Sequence, residues 1–363
     1  MGNIPQQERL FDTEAYDERF HLDREQDEKM IQACLDADHI LIMFSGGKDS
    51  TASLLRLIEA GVPLDRVELW HQCVDGRTVP GLSRENPMMD YACTVSYVES
   101  VARAFDIPLY FQWKDGGFEE EMLRENSATS RTFFETSEGL RWAGGESGNL
   151  NTRHKFPMQS NDLSRRWCSS YLKIQPAEAS LRNQLRFRDA KTIYISGERA
   201  EESTNRSRYP DVCVHRMATK GGRNGKSGRR HITHWHPVLR WNERMVWDIL
   251  ERFKIRPHPC YDLHEAIGRC SCQGCIFASA MQWRILQEIS PEKFEKIARY
   301  EREFNYTIVH GFSVVDLAAS APCPDLDPET VAMVTSRSFE YPIFTEKWEP
   351  PRGAYGNSHC GSS

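Results

Sequence analysis

Along the chain, apolar residues come in short runs separated by helical periodicities. His39-Ile-Leu-Ile-Met-Phe44 is a continuous apolar run of the length that fills a buried parallel strand. From Thr51 to Ala60 leucines recur at helical spacing, so the pattern predicts strand, turn, helix. Val67 to Val74 reads as a second strand ending at Asp75-Gly76, Tyr91 to Phe105 as a helix, and Pro108 to Trp113 as a third strand. Lys191 to Ser196 is another strand, and Asn242–Phe253 and Pro291–Phe304 read as helices. Residues 115–165, with Gly144-Gly145 and a Ser/Asn-rich stretch, read as an irregular insertion or lid, and the Pro-rich tail after Ala321 as extended chain. Alternating strands and helices predict an α/β fold built on a doubly wound parallel sheet. The expected division is a polar helical lead-in over 1–34, an α/β domain over 35–255, and a small cysteine-rich subdomain with its tail over 256–363.

Composition narrows the partners. The 363 residues suffice for a substantial core, and a net charge of −6 argues against a surface that coats nucleic acid as a whole. No apolar run approaches the roughly 18 residues of a membrane span, and the polar N-terminus resembles no signal or transit peptide. The expected setting is a reducing cytoplasm without a membrane partner. There, eleven cysteines predict buried thiols plus a metal or cluster site rather than a disulfide framework.

The turn between the first strand and helix is Ser45-Gly-Gly-Lys-Asp-Ser50. Bare N–H groups at a helix N-terminus, the helix dipole, two glycines that let a ligand approach, a lysine and two hydroxyls together make an anion site. The spacing is too short for the longer GxxxxGK[ST] phosphate loop. It resembles the SGGKDS signature of the PP-loop ATP pyrophosphatase superfamily, whose fold is adenine nucleotide alpha hydrolase-like. The resemblance implies that Ser45, Gly46, Gly47, Lys48, Asp49 and Ser50 bind the pyrophosphate of ATP. It also implies Mg²⁺, for which Asp49 and Asp75 are candidates, with Asp75 equally suited to stabilising the turn at Gly76.

Further segments resemble the phosphoadenylyl-sulfate (PAPS) reductase-like branch: Gly197-Glu-Arg-Ala-Glu-Glu-Ser203, Trp167-Cys-Ser-Ser-Tyr-Leu-Lys173, His236-Pro-Val-Leu-Arg-Trp241, and His258-Pro-Cys-Tyr leading to Cys270-Ser-Cys-Gln-Gly-Cys275. Gly197 and Arg199 would lie beside the phosphate loop, with Arg199 positioning the acceptor or α-phosphate; Arg206 and Arg208 serve either the ligand or structural ion pairs. Lys48, Asp49 and Arg199 are the catalytic candidates. An intact ATP-type loop together with a late cysteine set is most similar to the ATP pyrophosphatases of DNA phosphorothioation. That likeness implies cleavage of ATP to AMP and pyrophosphate, sulfur transfer, a sulfur donor such as a cysteine desulfurase, and an acceptor such as DNA or another nucleic acid. It also implies a homo-oligomer or multi-protein assembly.

The same likeness implies a 4Fe-4S cluster on Cys168, Cys260, Cys272 and Cys275, with Cys270 in reserve; zinc, with His231, His234 and His236 at hand, is the alternative. Two other functions stay open. One is a sulfonucleotide reductase using Cys360 as nucleophile. The other is a nucleotide-sensing, nucleic-acid-binding component, for which the basic loop over 216–231 and the rings of Trp142, Trp167 and Trp235 are candidate contacts.

Overall fold

In a computed structural model of the chain, residues 24–79, 88–145, 148–160, 162–219 and 229–355 are described. The strands are β1 (His39–Met43), β2 (Val67–Gln72), β3 (Leu109–Lys114), β4 (Thr132–Thr136), β5 (Gly139–Ala143), β6 (Lys191–Ile195), β7 (Val212–Val214) and β8 (His231–Trp235). They form one sheet in the order β5-β4-β3-β2-β1-β6-β8-β7. The five central strands run parallel, and β4, β5 and β7 complete the edges antiparallel. β1 lies between β2 and β6, so the strand order reverses there, and in open α/β sheets the crevice at such a switch point receives the ligand.

The helices are α1 (Arg24–Leu35), α2 (Lys48–Glu59), α3 (Thr94–Phe105), α4 (Gly117–Leu123), α5 (Trp167–Ser169), α6 (Gln175–Asn183), α7 (Glu243–Arg252), α8 (Cys260–Leu263), α9 (Ala280–Ile289), α10 (Pro291–Phe304), α11 (Val314–Ser320) and α12 (Pro328–Thr335). Both faces of the sheet are covered. Ile40 and Ile42 of β1 point into a core shared with α2, α3 and α7, whereas Leu41 packs with Trp70 against Ala177 and Leu181 of α6. This is the period-two alternation of a strand buried on both sides.

The cysteine-rich C-terminal region does not stand apart from that core. Tyr261, Leu263, Ile267, Val334, Phe339 and Ile343 belong to the same buried cluster as α2 and α3. A second cluster joins Trp167 and Phe118 to Trp283, Ile297 and Val314.

Three differences from the sequence reading have local causes. The segment read as irregular contains the β4–β5 hairpin, in which Phe133 and Phe134 are buried while the apolar Leu140 and Trp142 of β5 are exposed. The tail read as extended contains α12, which Asp327 caps through a 2.8 Å bond from the Thr330 N–H, with Pro328 at its first turn. Finally, β8 alternates polar and apolar residues behind the basic loop and pairs β6 in parallel. Among the described residues, no helix is long and apolar enough to cross a membrane.

Candidate active site at the carboxyl edge of the sheet

β1 delivers the chain to Ser45, and the turn that follows needs its glycines. Gly46 takes φ +81°, a left-handed conformation, and a Cβ there would stand 2.9 Å from Val98 Cγ1. Gly47 caps α2. Ser45 Oγ accepts the Gly47 N–H at 3.3 Å and lies 3.2 Å from Ser50 Oγ, while the Ser50 and Thr51 hydroxyls both donate to the Gly47 carbonyl. The turn is thus closed by its own hydroxyls at the start of α2.

Gly197, at the end of β6, packs onto this turn. A Cβ on it would lie 2.8 Å from the carbonyl carbon and oxygen of Asp49 and 2.9 Å from the Ser50 nitrogen. Two residues on, the Arg199 Nε donates to Asp49 Oδ1 at 2.5 Å, and its guanidinium also meets Glu201. Glu201 in turn accepts the Glu243 N–H at the start of α7. Burial alone would raise the Asp49 carboxyl, but Lys48 and Arg199 outweigh it and hold the group down at about 2. Burial likewise works against the charge of Arg199, and Asp49 with Glu202 overcomes it, so its pKa is raised. Asp49 and Arg199 are therefore a fixed ion pair across the switch point.

Lys48 is buried. Its ammonium donates to the Gly268 carbonyl at 3.1 Å and to Asp49 at 3.2 Å, with Glu243 at 3.9 Å. Its backbone N–H donates to the Tyr261 hydroxyl at 3.0 Å, and the same oxygen accepts the Cys270 N–H at 3.1 Å. Tyr261, Glu243 and Gly268 were not singled out from sequence. Tyr261 lay in view inside His258-Pro-Cys-Tyr, but nothing in the local pattern ties it to a loop more than two hundred residues earlier.

Asp75 is buried at the end of β2. Its carboxylate accepts the Met89 N–H through both oxygens at 3.0 Å and the Asp90 N–H at 2.8 Å. Burial pushes it up to about 6 despite those donors. Its oxygens are thus engaged in organising the 88–90 turn. Arg206 pairs with Glu202, and Arg208 is exposed.

The thiols divide into two neighbourhoods. Among the described residues, His258, Cys260 and Cys270 bring one ligand atom each within 4.8 Å of one another. There a hydrogen bond from Cys260 draws the Cys270 thiol down to about 5, against the effect of burial and with His258 assisting. Cys270 also adjoins the glycine turn before α2, since a Cβ on Gly47 would lie 3.3 Å from Cys270 Cβ. Cys168, Cys272 and Cys275 instead surround Lys173, whose pKa they raise, Cys272 most. Burial pushes Cys168 and Cys272 up, with Lys173 opposing it at both. The two neighbourhoods divide the predicted tetrad and place Cys260 beside its reserve, Cys270.

Of the aromatic candidates, Trp167 and Trp235 are buried, and Trp142 is exposed with Arg131 over its ring at 4.9 Å. In the basic loop, Arg216 pairs with Glu178 and Arg230 donates to the Arg182 carbonyl. Lys220, Arg223, Lys226, Cys360 and residues 1–23 of the lead-in lie outside the described residues.

A mostly parallel sheet flanked by helices, with a glycine turn at its switch point, defines an open α/β architecture of the kind that takes ligands at that point. The family model described as the phosphoadenosine phosphosulfate reductase domain matches residues 143–286, from the end of β5 through the cysteine-rich segment into α9. That match supports the PP-loop ATP pyrophosphatase-like superfamily and, at a coarse level, an enzyme using a nucleotide in sulfur transfer or reduction. No curated protein matches the chain.

Proposed function

We propose that the chain binds ATP at Ser45–Ser50, cleaves it to AMP and pyrophosphate, and so activates a phosphate-containing acceptor, DNA among the candidates, for sulfur transfer. The observation that carries this reading is the packing of Gly197 on the Asp49 backbone together with the Arg199–Asp49 ion pair. These contacts put an arginine fork beside the first turn of α2, where an anion is stabilised by the helix dipole. The Tyr261 hydroxyl, which accepts two N–H bonds, keeps its own proton to donate to a phosphate oxygen. Mg²⁺ would neutralise the phosphates, with Asp49 as the nearer carboxylate, while Arg199 orients the α-phosphate.

In this proposal an iron–sulfur cluster draws on Cys168, Cys272 and Cys275 around Lys173, with Cys260 or Cys270 as the fourth thiolate. Four sulfurs on one zinc ion at about 2.3 Å stand about 3.8 Å apart. Among the described residues, Cys168, Cys272 and Cys275 do not bring their sulfurs within 4.8 Å of one another, a wider spread than that. Such a cluster would hold or relay sulfur or electrons.

The test is incubation with α-labelled ATP and magnesium, with and without DNA. AMP and pyrophosphate are expected from the native chain and neither from Lys48→Ala; ADP as the product refutes the reading. A second reading, reduction of a sulfonucleotide, is favoured by the matched domain. It predicts that Cys360→Ser abolishes reduction of PAPS by a thioredoxin-type donor.

A further inference from the structure

The carboxyl ends of β6 and β8 carry a second constellation, separate from the thiols. Glu198 follows Gly197 after β6, His234 lies in β8, and His236 is just beyond it. One ligand atom from each stands within 4.8 Å of the others, and the two imidazole centroids are 4.1 Å apart. We propose that Glu198, His234 and His236 together bind one divalent transition-metal ion at this edge of the sheet.

Three observations carry it. His236 Nδ1 lies 3.0 Å from the Pro210 carbonyl oxygen, so the ring proton resides on Nδ1 and the Nε2 lone pair is bare. A backbone carbonyl holding the far nitrogen of a histidine is how proteins orient a metal-binding imidazole. That Nε2 faces Glu198 Oε2 at 3.8 Å, too far for a hydrogen bond. Two ligands on a tetrahedral ion at about 2.0–2.1 Å stand about 3.3 Å apart, so a small inward movement suffices. Glu198 Oε2 is itself buried with no hydrogen-bond partner, a need that a bound cation would meet. Ser196 Oγ, 2.6 Å from His234 Nε2, steadies that ring.

Two imidazoles and one carboxylate suit Zn²⁺, Mn²⁺ or Fe²⁺ and leave coordination positions open. Of the three histidines weighed earlier as partners for thiols, His234 and His236 are thus grouped with a carboxylate instead, while the thiol group takes His258.

The test uses the tag-free full chain titrated with Co²⁺, whose spectrum separates nitrogen/oxygen ligation from thiolate ligation through the sulfur-to-cobalt charge-transfer bands. One equivalent lacking those bands is expected, and it persists in a Cys260→Ser/Cys270→Ser double variant. Its affinity falls at least tenfold in His236→Gln and in Glu198→Gln. Should His236→Gln fail to fold by circular dichroism, Glu198→Gln at its partly exposed position decides. Absence of any nitrogen/oxygen-type Co²⁺ signal, or binding by Glu198→Gln as tight as in the native chain, overturns the proposal.

Discussion

Replacing Gly197 by alanine tests the close approach on which the site is built. The added Cβ would lie 2.8 Å from the Asp49 carbonyl group and 2.9 Å from the Ser50 nitrogen, whereas ordinary contact begins at 3.4 Å. The end of β6 and the first turn of α2 must therefore separate by about 0.6 Å, the difference of 3.4 and 2.8. Both partners are main chain, pinned by the β1–β6 register that pairs Ile42 with Ile195, so neither side yields cheaply. Overpacking of this kind costs about 1–3 kcal/mol, and the lower entropy of the unfolded alanine chain returns about 0.4–1. The expected net loss is about 1–2 kcal/mol in urea unfolding at unchanged m-value.

The same shift loosens the 2.5 Å Arg199–Asp49 bond, so ATP affinity should fall by up to about tenfold, equivalent to about 1.4 kcal/mol. The control is Gly61→Ala, where φ is +75° and no atom lies within 4 Å of the new Cβ. That change strains the backbone by about 1–2 kcal/mol and leaves ATP binding alone. If Gly197→Ala melts and binds ATP as the native chain does, the packing of β6 on the phosphate turn is not what positions this site.

Three further changes probe neighbouring contacts. Tyr261→Phe removes the oxygen that accepts the Lys48 and Cys270 N–H groups, and should cost about 2 kcal/mol in urea unfolding, a loss that Tyr261→Leu does not reduce. Arg199→Lys can serve only one of Asp49 and Glu201, and should lower stability by about 2 kcal/mol with weaker ATP binding in calorimetry. Asp75, raised in the fold from 3.8 to about 6, is protonated in both states at low pH. As pH rises the unfolded chain deprotonates first, so stability falls between pH 4 and 6 by about 3 kcal/mol, at about 1.4 kcal/mol per pH unit. Asp75→Asn should flatten that stretch of the stability–pH curve; an unchanged slope refutes it.

The parts of the fold that were legible in the amino-acid order are those where one local signal suffices. β1 is a continuous apolar run and β6 a β-branched and aromatic one, and Gly46-Gly47 between a strand and leucines at helical spacing announces a turn at a helix start. The β4–β5 hairpin was hidden because β5 faces solvent, and β8 because polar His231, Thr233 and His234 interrupt its apolar pattern. Gly197 and Arg199 could be matched to a motif, but their contact with Asp49 is a consequence of β6 pairing with β1 across some 150 residues. The cysteines show the limit most clearly. Spacing along the chain groups Cys270, Cys272 and Cys275, yet the fold turns Cys270 toward His258 and Cys260 and the other two toward Lys173.

The Tyr261 hydroxyl is a mechanical hinge pin between two chemistries. Because one oxygen accepts both the Lys48 and the Cys270 amides, the start of α2 and the cysteine loop share a single anchoring atom. Any displacement of that atom is felt on both sides, so the crevice at the switch point and the Cys270 segment are tied together without any domain having to move.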